Sequence, residues 1–300
     1  MDEWRKKIRK FYTKKSKLSL SRIFLYLCVL FLIIWILGPY MWLIISSISS
    51  GKELTAKPPH WIPEEPTLER YISLVLGRGF GQQTMQAMQG FRRSLLNSLI
   101  IAGLTTIICL IVGTMAAYAF TRFSFPGKRH MLSWILVTQM LPIMGIIIPL
   151  YILMRLLNLV DQHLGLVMLY TGLLLSPVIW LMRGYMSGIP VELEEAAMID
   201  GCSRVKALIK IIVPICGPGL VATGIFAFLA VWNEFFMALI FTATNARTVT
   251  VAITGFSTSF GVDYGLMATG GVIGSLPPIL IAIIFQRYIV TGLTAGAVKM

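Results

Sequence analysis

Apolar residues along this 300-residue chain fall in long unbroken blocks instead of alternating with polar ones. Six blocks stand out: Ile23–Ile45, Leu95–Ala119, Met131–Met154, Leu166–Met182, Gly217–Phe241 and Leu266–Ile289. About 20 helical residues span the roughly 30 Å of bilayer hydrocarbon, so these blocks match the length of membrane crossings. Pro142 and Pro149 interrupt the third block and Pro177 the fourth, which at 17 residues is at the short limit. A membrane barrel needs alternating segments of about ten residues, and these blocks are continuously apolar. The pattern predicts an all-α polytopic membrane protein with six transmembrane helices and a short polar helix between helices 4 and 5.

Composition agrees. The chain is 56% hydrophobic and only 13% charged, with mean hydropathy +0.78, whereas a soluble domain carries about 25% charged residues. The net charge of +13 would suit a nucleic-acid binder, but its distribution argues against one. Nine basic residues lie in residues 1–22, and the predicted topology puts Arg122, Lys128, Arg129, Arg183, Arg204, Lys206, Lys210, Arg287 and Lys299 on the same side. That side holds 18 of the 26 basic residues, the bias of the positive-inside rule. It predicts a multi-pass membrane protein with both termini in the cytoplasm. There is no aromatic-basic groove or recognition module for nucleic acid. The 23-residue first block behind a 22-residue leader reads as a retained signal anchor. The chain divides into a basic N-terminal segment 1–22, a transmembrane domain 23–291 and a tail 292–300.

Of the outer segments, residues 46–94 are the longest, with four early prolines, later glycines, and Gln82, Gln83, Gln86 and Gln89. A small packed cap and a mobile loop both fit that composition. Residues 242–265 read as a loop projecting from the membrane, with Asn245, Arg247 and Thr248 as candidate contacts for an external partner.

Small residues within the blocks mark where helices approach, because lipid supplies little hydrophobic force between them. Gly103 and Gly113 lie in the second block; Gly270 and Gly274 form one strip of the last block, Gly271 and Ser275 a neighbouring one. Pro277-Pro278 removes two backbone donors there, tolerable where neighbours or water satisfy the freed carbonyls. Helix bending and gate movement are both open readings of that break. Asn233 and Glu234 sit inside an apolar block, where a lipid-facing carboxylate would cost about 3 kcal/mol. Interhelical hydrogen bonding and a place in a transport pathway both remain open for them. Cys28, Cys109, Cys202 and Cys216 lack metal-ligand spacing and read as buried small hydrophobes, with no metal site.

The hydrophilic stretch 190–214 carries the most specific signal. After Pro190, carboxylates at Glu192, Glu194 and Glu195 oppose the dipole of a short helix. Leu193, Ala196 and Ala197 share a face at helical spacing, small enough to enter a groove, with Asp200 a turn further on. Gly201 ends the helix in a left-handed conformation, and Ser203 caps a second helix bearing Arg204, Lys206 and Lys210. Chemistry alone leaves an ordinary interfacial amphipathic helix as the competing reading.

The spacing shifts that balance. Glu195-Ala196-Ala197, three residues, Gly201, nine residues, Ile211, one residue, then Val213-Pro214 resembles the cytoplasmic EAA motif of binding-protein-dependent ABC importer permeases. Val213 stands where the pattern commonly has Leu. Arg247-Thr248-Val249-Thr250, Gln286-Arg287-Tyr288 and the run Gly292–Lys299 are similar to the sugar-importer branch of the MalG type. The resemblance implies a maltose or malto-oligosaccharide permease acting with a MalF-like second permease, two MalK-like ATPase subunits and an external solute-binding protein. It makes Glu195, Ala196, Ala197, Asp200, Gly201, Ile211 and Pro214 an ATPase-coupling device, with ATP and Mg bound by the partner subunits and no cofactor in this chain. It also implies that the 242–265 loop reaches toward the binding protein and that residues near 292–300 enter the ATPase interface. Substrate ligands are not assigned, since the principal sugar contacts in that family belong to the partner.

No GxxxxGK[ST] phosphate loop is present, so ATP hydrolysis is expected elsewhere. Two other classes compete. A secondary transporter would rest on Glu234 alone. A membrane enzyme would need His60, His130 or His163 in a nucleophile-base or HExxH arrangement, and they are instead scattered across differing loops or ends.

Overall fold

The computed structural model describes residues 20–58, 60–76, 82–258 and 261–295. The basic leader up to residue 19, the glycines at 77–81 and the tail 296–300 lie outside the described residues. Twelve helices suffice to place the site: α1 (Leu20–Ile48), α2 (Glu69–Leu76), α3 (Gln82–Arg122), α4 (Lys128–Thr138), α5 (Ile143–Leu156), α6 (His163–Ser187), α7 (Glu192–Ile199), α8 (Arg204–Ala207), α9 (Gly217–Trp232), α10 (Phe236–Phe241), α11 (Val249–Thr254) and α12 (Tyr264–Ala295). A two-residue antiparallel pair, Ser257–Thr258 against Gly261–Val262, joins α11 to α12.

Among the described residues four helices are long and apolar enough to cross a membrane, or six if each sharply bent pair is one span. The third block is bent where a proline interrupts it: α4 and α5 meet at 94°. Pro142, the residue before α5, lacks an N–H and disfavours helical backbone at Leu141, so the chain turns there. The fifth block is also interrupted, because α9 stops at Trp232 and α10 starts at Phe236. Ahead of α9, the segment 204–215 meets it at 79°. A five-residue π-turn, Leu208–Ile212, precedes Pro214 in that segment, a usual accommodation where the α ladder is disturbed. The fourth block is longer than expected, a 25-residue helix running through Pro177. Helix α3 is longer still: 41 residues extend about 60 Å, so its first turns reach beyond the hydrocarbon. It and α2 account for much of the 46–94 segment. At the other end, α12 continues to Ala295, past the boundary placed at 291/292.

Helices α3 and α6 form the central pair, with α9 and α12 packed alongside and α1 resting against α12. Phe91, Tyr170, Trp232, Phe241 and Phe256 belong to one core cluster. Tyr118, Met182, Met186, Leu208 and Ile212 belong to another, toward the polar 190–214 stretch. The small-residue strips of α12 have definite partners. A Cβ at Gly270 or Gly274 would meet Ile253, at 3.2 and 3.5 Å, so this strip receives α11. The neighbouring strip receives α1, with Leu43 at 3.4 Å from a Cβ at Gly271 and Tyr40 hydrogen-bonded to Ser275 at 2.9 Å. In α3, Gly113 admits Val178 of α6, whose Cγ1 would lie 2.6 Å from an added Cβ. Gly103 faces open space and takes no part in close packing, a correction to the pattern-based expectation.

Two of the proline breaks are satisfied by specific donors. Pro278 cannot donate to the Gly274 carbonyl, and the buried Trp232 indole N–H does so at 3.0 Å. Pro177 likewise frees the Leu173 carbonyl, which accepts from Gln139 Nε2 at 2.9 Å. These two freed carbonyls therefore become interhelical ties, and α6 and α12 pass through their prolines unbroken.

Candidate functional site: a short acidic helix and the polar joints that anchor it

Helix α7 runs from Glu192 to Ile199 with its three glutamates in the first turn. Its end has Schellman geometry: Cys202 N–H donates to Ala197 O at 3.0 Å and Gly201 N–H to Met198 O at 3.1 Å. Gly201 holds φ +87°, the left-handed value expected from the sequence. Ser203 Oγ then accepts from Lys206 N–H at 3.4 Å and caps α8. The result is a tight helical hairpin, as the spacing predicts.

Its faces are divided differently from the expectation. Glu194, 3% exposed, points into the protein with Ala197, 5% exposed. Tyr118 donates its hydroxyl to Glu194 Oε1, Arg122 Nε donates to Oε2 at 3.1 Å, and Arg122 Nη2 donates to Ile189 O at 2.9 Å. This buried pair fastens α7 to the end of α3. The outward face consists of Glu192, Leu193, Glu195, Ala196, Ile199 and Asp200, all exposed, Ile199 at 86% and Leu193 at 44%. Ala197 thus leaves the proposed docking face, because the i,i+3 pair Glu194–Ala197 is occupied by the protein's own core. Gly201 and Pro214 are exposed, while Ile211 is half-buried beside the buried Ile212. Glu194, Tyr118 and Arg122 were not singled out from the sequence. A glutamate among three neighbouring carboxylates has no distinguishing local signal, and its partners lie more than 70 residues away.

A second polar joint lies at the break between α9 and α10. Glu234 Oε1 accepts from Met237 N–H at 2.9 Å, and Oε2 accepts from Ala238 N–H at 3.1 Å and from Tyr170 hydroxyl at 2.7 Å. Its carbonyl accepts from Thr250 hydroxyl at 2.9 Å. The carboxylate therefore caps the restarted helix and ties it to α6 and α11, which gives its place in an apolar block a structural reason. Asn233 is exposed and donates to Leu229 O at 2.9 Å, within its own helix.

Residues 243–249 of the 242–265 segment are held against the protein instead of projecting freely. Asp161, at φ 59° in the turn before α6, accepts backbone N–H from Ala243, Thr244, Asn245 and Ala246 at 2.9–3.2 Å. Burial pushes the Asp161 carboxyl up, but these four backbone donors outweigh it and lower its pKa to about 2. Asn97 Nδ2 donates to the carbonyls of Asn245 and Arg247 at 2.8 and 3.0 Å. With its amide hydrogens committed, Asn97 Oδ1 is the acceptor for His163 Nε2–H at 2.8 Å. Ser98 Oγ accepts from Val249 N–H at 2.8 Å and caps the buried α11. Of the three candidate contact residues, Asn245 is exposed, Arg247 half-buried and Thr248 buried. Asp161, Asn97 and Ser98 were missed because each matters only through a distant backbone, which leaves no periodic trace.

Residues 110–294 match the family model described as binding-protein-dependent transport system inner membrane component. The chain is 35% identical to the trehalose/maltose transport system permease protein MalG of Thermococcus litoralis, covering 93% of this chain and 98% of that protein. It is equally 35% identical to the sulfoquinovosyl glycerol transport system permease protein SmoH of Agrobacterium fabrum, over 88% and 89% of the two chains. Among solved structures it is similar in fold to a chain of a bacterial ABC transporter that imports the acidic polysaccharide alginate. That match has TM-score 0.73 and 22% identity, and covers 90% of this chain and 98% of the other.

Proposed function

This chain belongs to the family of binding-protein-dependent transport system inner membrane components, as a permease of the ABC sugar importers, and from that premise we propose that it carries a malto-oligosaccharide or related sugar by coupling partner ATPase closure to alternating access. ATP and Mg bind and react in the partner subunits. A second, MalF-like permease completes the pathway, two MalK-like ATPases drive it, and an external solute-binding protein delivers the sugar. Both termini lie in the cytoplasm, on the face that carries the basic residues.

The observation that carries this reading is the α7–α8 hairpin, rigidly jointed at Gly201 and fastened through Glu194 to the end of α3. A force applied to its outward face passes directly into the central α3–α6 pair instead of being lost in a loose loop. Leu193, Ala196 and Ile199 form the small and aliphatic stripe that enters the ATPase groove. The Asp161-held loop with exposed Asn245 faces the binding protein.

The cargo assignment draws on the trehalose/maltose relative. The sulfoquinovosyl glycerol relative at the same identity makes another oligosaccharide or glycoside the second reading. Competition of unlabelled maltose, maltotriose, trehalose and sulfoquinovosyl glycerol for the cognate binding protein separates them. The coupling reading is tested by cysteine crosslinking from Leu193 and Ile199 to the ATPase, with Ala197 as the inward-facing control. Crosslinks that form equally from Ala197, or uptake driven by an ion gradient without any ATPase, would overturn it.

A further inference from the structure

We propose that α2 is an interfacial helix whose outward face lies in the lipid headgroup layer at the C-terminal end of α1. One face of α2 is spent on the protein. Leu74 is buried, Arg70 Nη1 donates to Ser49 O at 2.5 Å, and Tyr71 hydroxyl meets Ser47 Oγ at 2.6 Å. The opposite face carries Leu68, Ile72, Val75 and Leu76, each more than half exposed and at i, i+4, i+7 and i+8. Trp61 and Ile62, in the segment between α1 and α2, are also exposed, at 68% and 82%. An apolar stripe set directly opposite the packed side is covered by something other than water.

The depth of the stripe identifies the cover. Arg22 is the last cation before the apolar run of α1, and Trp42 follows it by 20 residues. At 1.5 Å per residue that is about 30 Å, one hydrocarbon thickness. Trp42 packs edge-to-face with Trp61, ring centroids 4.9 Å apart, so the pair marks the membrane boundary where tryptophans concentrate. Ser47 and Ser49, which tether α2, lie about 8–10 Å further along the same axis. That is headgroup depth, and interfacial helices sink their apolar face about 5–10 Å into this boundary. Lipid thus covers the stripe, and α2 acts as a float that fixes how far α1 and α3 stand out of the bilayer.

The test uses spin labels on the full-length chain, in its assembled transporter in nanodiscs of zwitterionic and anionic phospholipid. The native cysteines are replaced and single cysteines introduced by Ile72→Cys or Val75→Cys, with Trp35→Cys as the lipid control and Glu65→Cys as the solvent control. The expected result is access to oxygen exceeding access to a water-soluble nickel chelate by about threefold or more at 72 and 75, as at 35. Greater nickel access at those positions would place the stripe in water, and low access to both probes would mean that a docked protein covers it; either overturns the proposal. Should the labelled variants fail to assemble, brominated lipid supplies a second readout. Loss of a lipid-quenched fluorescence component in Trp61→Phe relative to the unsubstituted chain supports the proposal, and identical quenching overturns it.

Discussion

Arg122 Nε donates to Glu194 Oε2 at 3.1 Å, with the two side chains only 10% and 4% exposed, and this contact joins the acidic hairpin to the longest helix of the bundle. Tyr118 donates to the same carboxylate, so neither charge is left uncompensated. On the proposed coupling reading, force reaches the bundle through Glu194, a residue adjacent to the motif, as well as through the motif itself.

Removing one partner strands the other. Glu194→Ala is expected to cost about 3–5 kcal/mol, because a buried guanidinium loses its counter-charge. The double variant Glu194→Leu with Arg122→Met is expected to regain most of that stability while sugar-stimulated ATP hydrolysis stays impaired. Thermal melts of the purified complex, paired with ATPase assays, check both halves. Full coupling in the stable double variant would show that the tie is structural only.

Gly201 tests the joint itself. A Cβ there meets nothing within 4 Å, so the cost of substitution comes from φ +87° and not from a clash. Gly201→Val is expected to cost about 1–2 kcal/mol locally, and Gly201→Asn less, because Asn visits the left-handed region more readily. Gly201→Asp adds a charge on the exposed joint beside Asp200 and is expected to abolish coupling with membrane insertion retained. Transport-stimulated ATP hydrolysis against expression level separates these outcomes.

The Asp161 clamp carries a pH signature with a definite sign. Its folded pKa, about 2, is below the free value of about 3.9. Its contribution is thus complete above about pH 4 and is lost as the pH falls toward 2. Across the neutral range the 243–246 amides should exchange slowly and uniformly. Asp161→Asn, which turns an amide group toward those donors, is expected to cost about 1–3 kcal/mol. It should speed hydrogen exchange at residues 243–246 while α3 and α6 are unaffected.

Glu234 is expected to act as a cap and not as a proton carrier. Glu234→Gln retains one acceptor oxygen for three donors and is expected to lose about 1–3 kcal/mol with reduced uptake. Uptake by the unsubstituted protein in ATP-loaded proteoliposomes is expected to be insensitive to a protonophore. Collapse of uptake on adding one would restore the pathway reading of this carboxylate.

Packing supplies a paired control. Gly219→Ala would set a Cβ 2.4–2.7 Å from the Tyr185 ring carbons and is expected to destabilise by about 1–3 kcal/mol. Gly103→Ala, in open space within a helix, is expected to be neutral or slightly stabilising. Thermal melts of the two single variants decide it.

The chain's apolar blocks, its basic asymmetry and the turn chemistry at Gly201 and Ser203 were determined by local sequence, because helix length, charge and capping are written in consecutive residues. The membrane class, the short acidic hairpin and the small-residue strips of α12 followed from those signals alone. Tertiary structure decided which face of the hairpin is inward, since only the arrival of Tyr118 and Arg122 makes Glu194 the buried carboxylate. It also decided that Glu234 caps a broken helix, that Trp232 and Gln139 satisfy carbonyls freed by prolines, and that Asp161 holds a loop some 80 residues distant. Such ties join an isolated polar side chain to a backbone group far along the chain. Neither periodicity nor spacing records them, because the partner is chosen by the packing of helices.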